Sequence, residues 1–159
     1  MGTEPDLFAQ FRTIVKQEFG FLVDEFGFKK YSSGVRTPEC WVAFRTATTG
    51  VTVMFELGAG PWVEVARLGL HEGRTVELER YSLDFLLMER APLEERTSRC
   101  DGLDDPQLAA ILARQAHQLR AHAEDILNGD FHIFPRLKGL AESAKRKWEQ
   151  EVFGSSEGE

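Results

Sequence analysis

At 159 residues, with 42% hydrophobic and 28% charged residues, the chain has the size and balance of one globular domain that buries about two-thirds of its unfolded surface. Its net charge of -7 argues against a nucleic-acid backbone as partner, because such binders present a basic stripe that releases counterions. No apolar run nears the roughly 18 residues that span a bilayer, and "MGTEPDLFAQF" has neither the basic start nor the apolar core of a signal peptide. The two cysteines, Cys40 and Cys100, lack CxxC spacing, so the expectation is a cytoplasmic protein with both thiols reduced.

Thr3 with Asp6 resembles a capping box, and Pro5 suits a first helical turn. Phe8, Phe11, Val15, Phe19, Leu22 and Phe26 then recur at three- and four-residue steps, which predicts an amphipathic helix against the core. Glu18-Phe19-Gly20-Phe21 repeats as Glu25-Phe26-Gly27-Phe28, nearly two helical turns later, which places Phe19 and Phe26 on one face. Gly20 falls inside that helix at a cost of about 1 kcal/mol against alanine, and Gly27 is its left-handed stop.

Alternating segments follow. "FKKYSS", "ECWVAFRT", "VTVMFEL", "WVEVARL" and "RTVELE", with "ATTG" and "GAGP" as turns, predict an antiparallel meander of four or five strands. Pairing Val42 with Phe55, Phe44 with Val53, Phe55 with Val63 and Val53 with Val65 keeps the apolar residues on one face. Next comes a short helix capped by Ser82, with Tyr81 and Leu86 at hydrophobic-staple positions. The fourteen-residue polar connection "APLEERTSRCDGLD" leads to a long helix starting at Asp105-Pro106. Its stripe is Leu108, Leu112, Leu119 and Ile126, closed by Asn128-Gly129. A last helix runs from about 131 or 135 to 152, with Leu137, Leu140, Ala144 and Trp148 on one face. The expected architecture is α+β, a single domain over 1–153: an N-terminal helix, the meander, then three C-terminal helices, one short. Residues 154–159 form a disordered acidic tail.

Common catalytic patterns fail on spacing. His117 and His122 diverge by about 140° on a helix and cannot share an ion. "HEGRT" at His71 has Thr75 where a zinc-protease motif needs its second histidine, and "GAGP" opens no helix that would cradle phosphate. Neither cysteine has a sequence-local helper to lower its pKa. No catalytic residue, metal ligand or cofactor is therefore assigned.

One constellation remains on the second sheet face. The register above places Trp41, Glu56 and Trp62 in one row, Met54 and Glu64 in the next, and Arg45 within reach. Two indoles flanking a carboxylate suit a cationic ligand or a partner's Lys or Arg. The plain alternative is that these cross-strand neighbours only stabilise the sheet, or that a helix covers them.

The order of helix, glycine stop, meander, short Tyr-Ser-Leu-Asp helix and two further helices around "GDFHIFPRL" resembles small bacterial α+β proteins, some like the immunity proteins that neutralise toxins in interbacterial competition. That resemblance transfers no catalytic residue and implies a protein-binding role. The leading expectation is a non-enzymatic interaction module, immunity-like, that occludes a basic protein partner through an acidic and aromatic surface, with no nucleic acid and no membrane involved. A second is a small-ligand or enzymatic module with a pocket between sheet and helices, using Glu56 or Glu64. A third is a homodimer joined through a sheet edge or face.

Overall fold

The computed structural model describes residues 8–96 and 106–153, so the Thr3–Asp6 cap, the Asp105 cap, Cys100 and the acidic tail lie outside it. Within that range the element order is helices, a five-stranded antiparallel sheet, then helices, an α+β architecture.

The first helical stretch is broken where one helix was expected. α1 (Ala9–Glu18) ends at Phe19, and α2 (Phe21–Phe26) begins after Gly20. A Cβ on Gly20 would sit 3.1 Å from the Lys16 carbonyl oxygen, so glycine allows the backbone to tighten at the break. Gly27 stops α2 in the left-handed region at φ 73°, and Phe28 N–H donates back to the Leu22 carbonyl at 2.9 Å, satisfying a carbonyl of the last turns. The stripe faces inward as the periodicity predicts: Phe8, Phe11, Val15, Phe19 and Leu22 are buried and Phe26 is half-buried.

β1 (Lys29–Arg36), β2 (Glu39–Arg45), β3 (Thr49–Glu56), β4 (Ala59–His71) and β5 (Arg74–Ser82) pair in sequence order. The predicted faces are correct, but the register is displaced by two residues at both central pairs. Val42 lies opposite Val53 and Phe44 opposite Val51, while Val63 lies opposite Val53 and Val65 opposite Val51. The cause is in the turns. The Thr46 hydroxyl accepts from the Thr48 and Thr49 amides at 3.3 and 3.1 Å, tightening the β2–β3 reversal. The β3–β4 reversal turns at Leu57 and Gly58, so "GAGP" is mostly strand. "HEGRT" is the tip of the β4–β5 hairpin, with Glu72 and Gly73 both at positive φ.

α3 (Leu83–Arg90) starts as expected, with Ser82 Oγ accepting from the Asp84 amide at 3.1 Å. The long helix expected next ends early. α4 (Gln107–His122) stops at Ala123, and a single turn, α5 (Glu124–Leu127), precedes Gly129. α6 (Phe134–Phe153) buries Phe134 and Leu137, but every residue from Glu142 to Phe153 is exposed, including Trp148 at 57%. The predicted inward position of Ala144 and Trp148 is thus corrected: α6 runs past the edge of the core.

The six helices among the described residues all contribute to one core against a single sheet face made of Cys40, Val42, Phe44, Val51, Val53, Phe55, Val63 and Val65. A buried hydrogen bond from Thr49 Oγ1 to the Ile126 carbonyl, 3.0 Å long, ties β3 to α5. The other sheet face is left without a helix among the described residues.

Candidate functional site

The helix-free face is built by the odd-numbered residues of β2 and the even-numbered ones of β3 and β4, as strand alternation requires. Trp41, Met54, Glu56, Trp62, Glu64 and Arg45 all lie on it and all are half-buried. Their rows differ from the sequence-derived ones because of the two-residue displacement. Trp41 faces Met54, and Met54 faces Trp62, so the residue between the indoles is a thioether and not a carboxylate. Glu56 moves to the end of the face, directly opposite Glu39. Sequence reasoning missed Glu39, because the predicted pairing of Val42 with Phe55 put it opposite Gly58, in the expected turn.

The two indoles are laid down on glycines. A Cβ on Gly34 would fall 2.5 Å from Cζ2 of Trp41, and one on Gly60 would fall 2.6 Å from Cε3 of Trp62. Trp41 Nε1 donates to Ser32 Oγ at 3.2 Å, which fixes the ring across β1. The result is a low aromatic row with Met54 at its centre, flat enough to meet another surface.

Charges divide along the strands. Glu39 and Glu56 form a like-charge cross-strand pair, and no cation among the described residues lies within ion-pair distance of either. Such pairs are unfavourable unless something neutralises them. Glu64 is different: Arg80 donates to it at 3.1 Å while gripping Glu77 through two bonds of 2.8 and 2.6 Å. Arg45 sits at the opposite end of β2 from Glu39, facing Lys29, with its guanidinium carbon 3.7 Å from the centre of the Tyr31 ring. Six residue steps of about 3.3 Å separate the two ends by roughly 20 Å.

The expected pocket between sheet and helices does not contain Glu56 or Glu64, since both face away from the helical layer. A separate charged cluster lies where α3, α4 and α5 meet. Arg90 forks onto Asp125 at 2.8 and 2.7 Å and donates to the His122 carbonyl at 2.6 Å, satisfying a C-terminal group of α4. His122 meets Glu94 at 2.5 Å, not Asp125, and His117 is exposed. Hydrogen bonding from Arg90 holds the Asp125 carboxyl below the usual carboxylate range despite partial burial, which pushes the other way. Asp125, Asp130 and His132 offer ligand atoms within 4.8 Å of one another, but the Arg90 fork already occupies both oxygens of Asp125. The first part of the polar connection is held down as well: Gln118 Nε2 donates to the Glu95 carbonyl at 2.7 Å, and Arg114 pairs with Glu95 at 2.8 Å.

No helix among the described residues is long and apolar enough to cross a membrane. No protein-family model, curated protein or solved structure matches the chain.

Proposed function

We propose that the chain is a non-enzymatic protein-interaction module, immunity-like in its mode, that covers a basic patch of a partner protein with the Glu39–Glu56 end of its helix-free sheet face. The supporting observation is that two carboxylates oppose each other without a cation at the border of the Trp41–Met54–Trp62 row. A partner's Lys or Arg inserted between them would remove the repulsion and lie beside the indoles, where cation–π contact adds to charge pairing. Met54 and the two tryptophans would supply the desolvated centre and the carboxylates the steering field. Glu64 is spent on Arg80 and takes no part, and Arg45 lies at the far end.

The test is affinity purification from the native host with the whole chain, beside a Trp62→Ala chain and a Glu39→Gln/Glu56→Gln chain. The expected result is one protein with a basic surface enriched by the parent chain, lost with both variants, and bound again by purified components in a salt-sensitive manner. Equal enrichment by parent and variants would remove this face as the site.

A further inference from the structure

The other end of the face suggests a second site. β4 and β5 extend beyond the start of β3: Thr49 pairs with Arg67, a register shift follows at Leu68, and residues 68–76 overhang. This overhang curls across the sheet far enough for Thr75 to share a cleft with Lys29, Lys30 and Tyr31 of the opposite edge strand and with Arg45 and Thr46 at the end of β2. The cleft holds about 520 Å³ and no carboxylate lines it. It continues through Tyr31, Arg45 and Thr75 into a second hollow of about 230 Å³. That hollow is lined by small residues, Ala43, Gly50, Thr52 and Ala66, and on its β5 side by Glu77, whose carboxylate is held by Arg80.

Two cations, Lys29 and Arg45, thus stand together in one cleft of a chain of net charge -7, and among the described residues neither has an ion-pair partner; Lys30, opposite Phe44, lines the rim from the other face of β1. Lys29 and Arg45 stand directly opposite each other, a like-charge pair that an anion would relieve. Lysines on an edge strand also discourage edge-to-edge pairing, which accounts for Lys29 and Lys30 on β1. It does not account for Arg45, which lies on interior strand β2. There its guanidinium is stacked on Tyr31, so its planar face is covered and its N–H edge is left for a ligand.

We infer that this cleft binds a small organic oxyanion, with a phosphate or carboxylate held by Arg45 and Lys29 and a flat apolar body lying on the Ala43–Gly50–Ala66 floor. Volumes of this order suit a metabolite-sized ligand. The guanidinium fork matches either oxyanion, and the threonine hydroxyls at positions 46 and 75 add donors.

Titration of the isotopically labelled whole chain, followed by amide NMR, tests this with three probes: inorganic phosphate, 1-naphthyl phosphate and 1-naphthoate. The expected result is saturable shifts confined to residues near Lys29–Tyr31, Arg45–Ala47 and Thr75, with 1-naphthyl phosphate tighter than inorganic phosphate. Saturation by 1-naphthyl phosphate alone identifies a phosphate head, and by 1-naphthoate alone a carboxylate head. Arg45→Gln and, at an exposed position, Lys29→Gln each weaken the better probe about tenfold, roughly the loss of one charge-assisted contact. Lys138→Gln on α6 changes nothing. Shifts that fail to saturate with all three probes, that map elsewhere, or that survive both substitutions would overturn the inference.

Discussion

Glu39 and Glu56 stand directly opposite each other at the end of the helix-free sheet face. Opposed carboxylates on a sheet cost a few tenths to about 1 kcal/mol, and no cation among the described residues offsets them. Glu39→Gln is therefore expected to raise the unfolding free energy by about 0.5 kcal/mol at pH 7, measured by urea denaturation, with the gain shrinking in high salt. A loss of stability would mean that the carboxylate has an intramolecular use. Neither glutamate could be paired with the other from the sequence, because strand alternation has period two and is unchanged when a strand slides by two residues. The observed register goes with the two turns: Thr46 Oγ1 accepts two backbone hydrogen bonds in one, and the other reverses at Leu57 and Gly58, details that no alternation pattern encodes. The same displacement exchanged Glu56 for Met54 between the indoles, so the aromatic residues were legible and their neighbour was not.

Among the elements, α3, α4 and α5 meet at Arg90, and that junction has a predictable acid response. The folded-state pKa of Asp125 is lowered, so its stabilising contribution is complete above about pH 4 and fades as pH falls through the lowered value. Arg90→Gln should cost about 1–3 kcal/mol at pH 7, since it loses the carboxylate fork and the bond to the His122 carbonyl. Denaturant midpoints at pH 7, 5 and 3 should show parent and variant converging at the acid end. A pH-independent gap would assign the loss to packing instead. Elements with a strong local signal were readable from sequence: the Ser82 cap, the Gly27 stop and all five strands. Helix continuity was not. The stripe Leu108, Leu112, Leu119, Ile126 is buried along its whole length, yet the backbone breaks at Ala123 to bring Arg90 against the end of α4. A long-range contact of that kind leaves no mark on hydrophobic periodicity. Gly20 is a second such case: read as a residue inside one helix, it stands at the break between α1 and α2.

For the molecule as a whole, one layer of helices covers one side of the sheet and α6 continues beyond it. The apolar stripe of α6 was readable, but how far the core beneath it extends depends on tertiary geometry, so Trp148 was expected inside and lies on the surface. Deleting everything after Lys147 should change the unfolding free energy by less than about 0.5 kcal/mol, as for other exposed positions. Thermal unfolding would check this, and a larger drop would show that the final turns are held by something. The sheet face has a different whole-molecule property. Its acidic pair and its cationic pair stand roughly 20 Å apart along the strands, more than the screening length of about 8 Å at physiological salt. At that salt the fields of the two ends do not overlap, so ligands at the two proposed sites would bind independently. In dilute buffer the two ends combine into a surface dipole directed along the strands. Such a dipole would turn an approaching molecule of matching polarity before contact and favour one of the two antiparallel orientations.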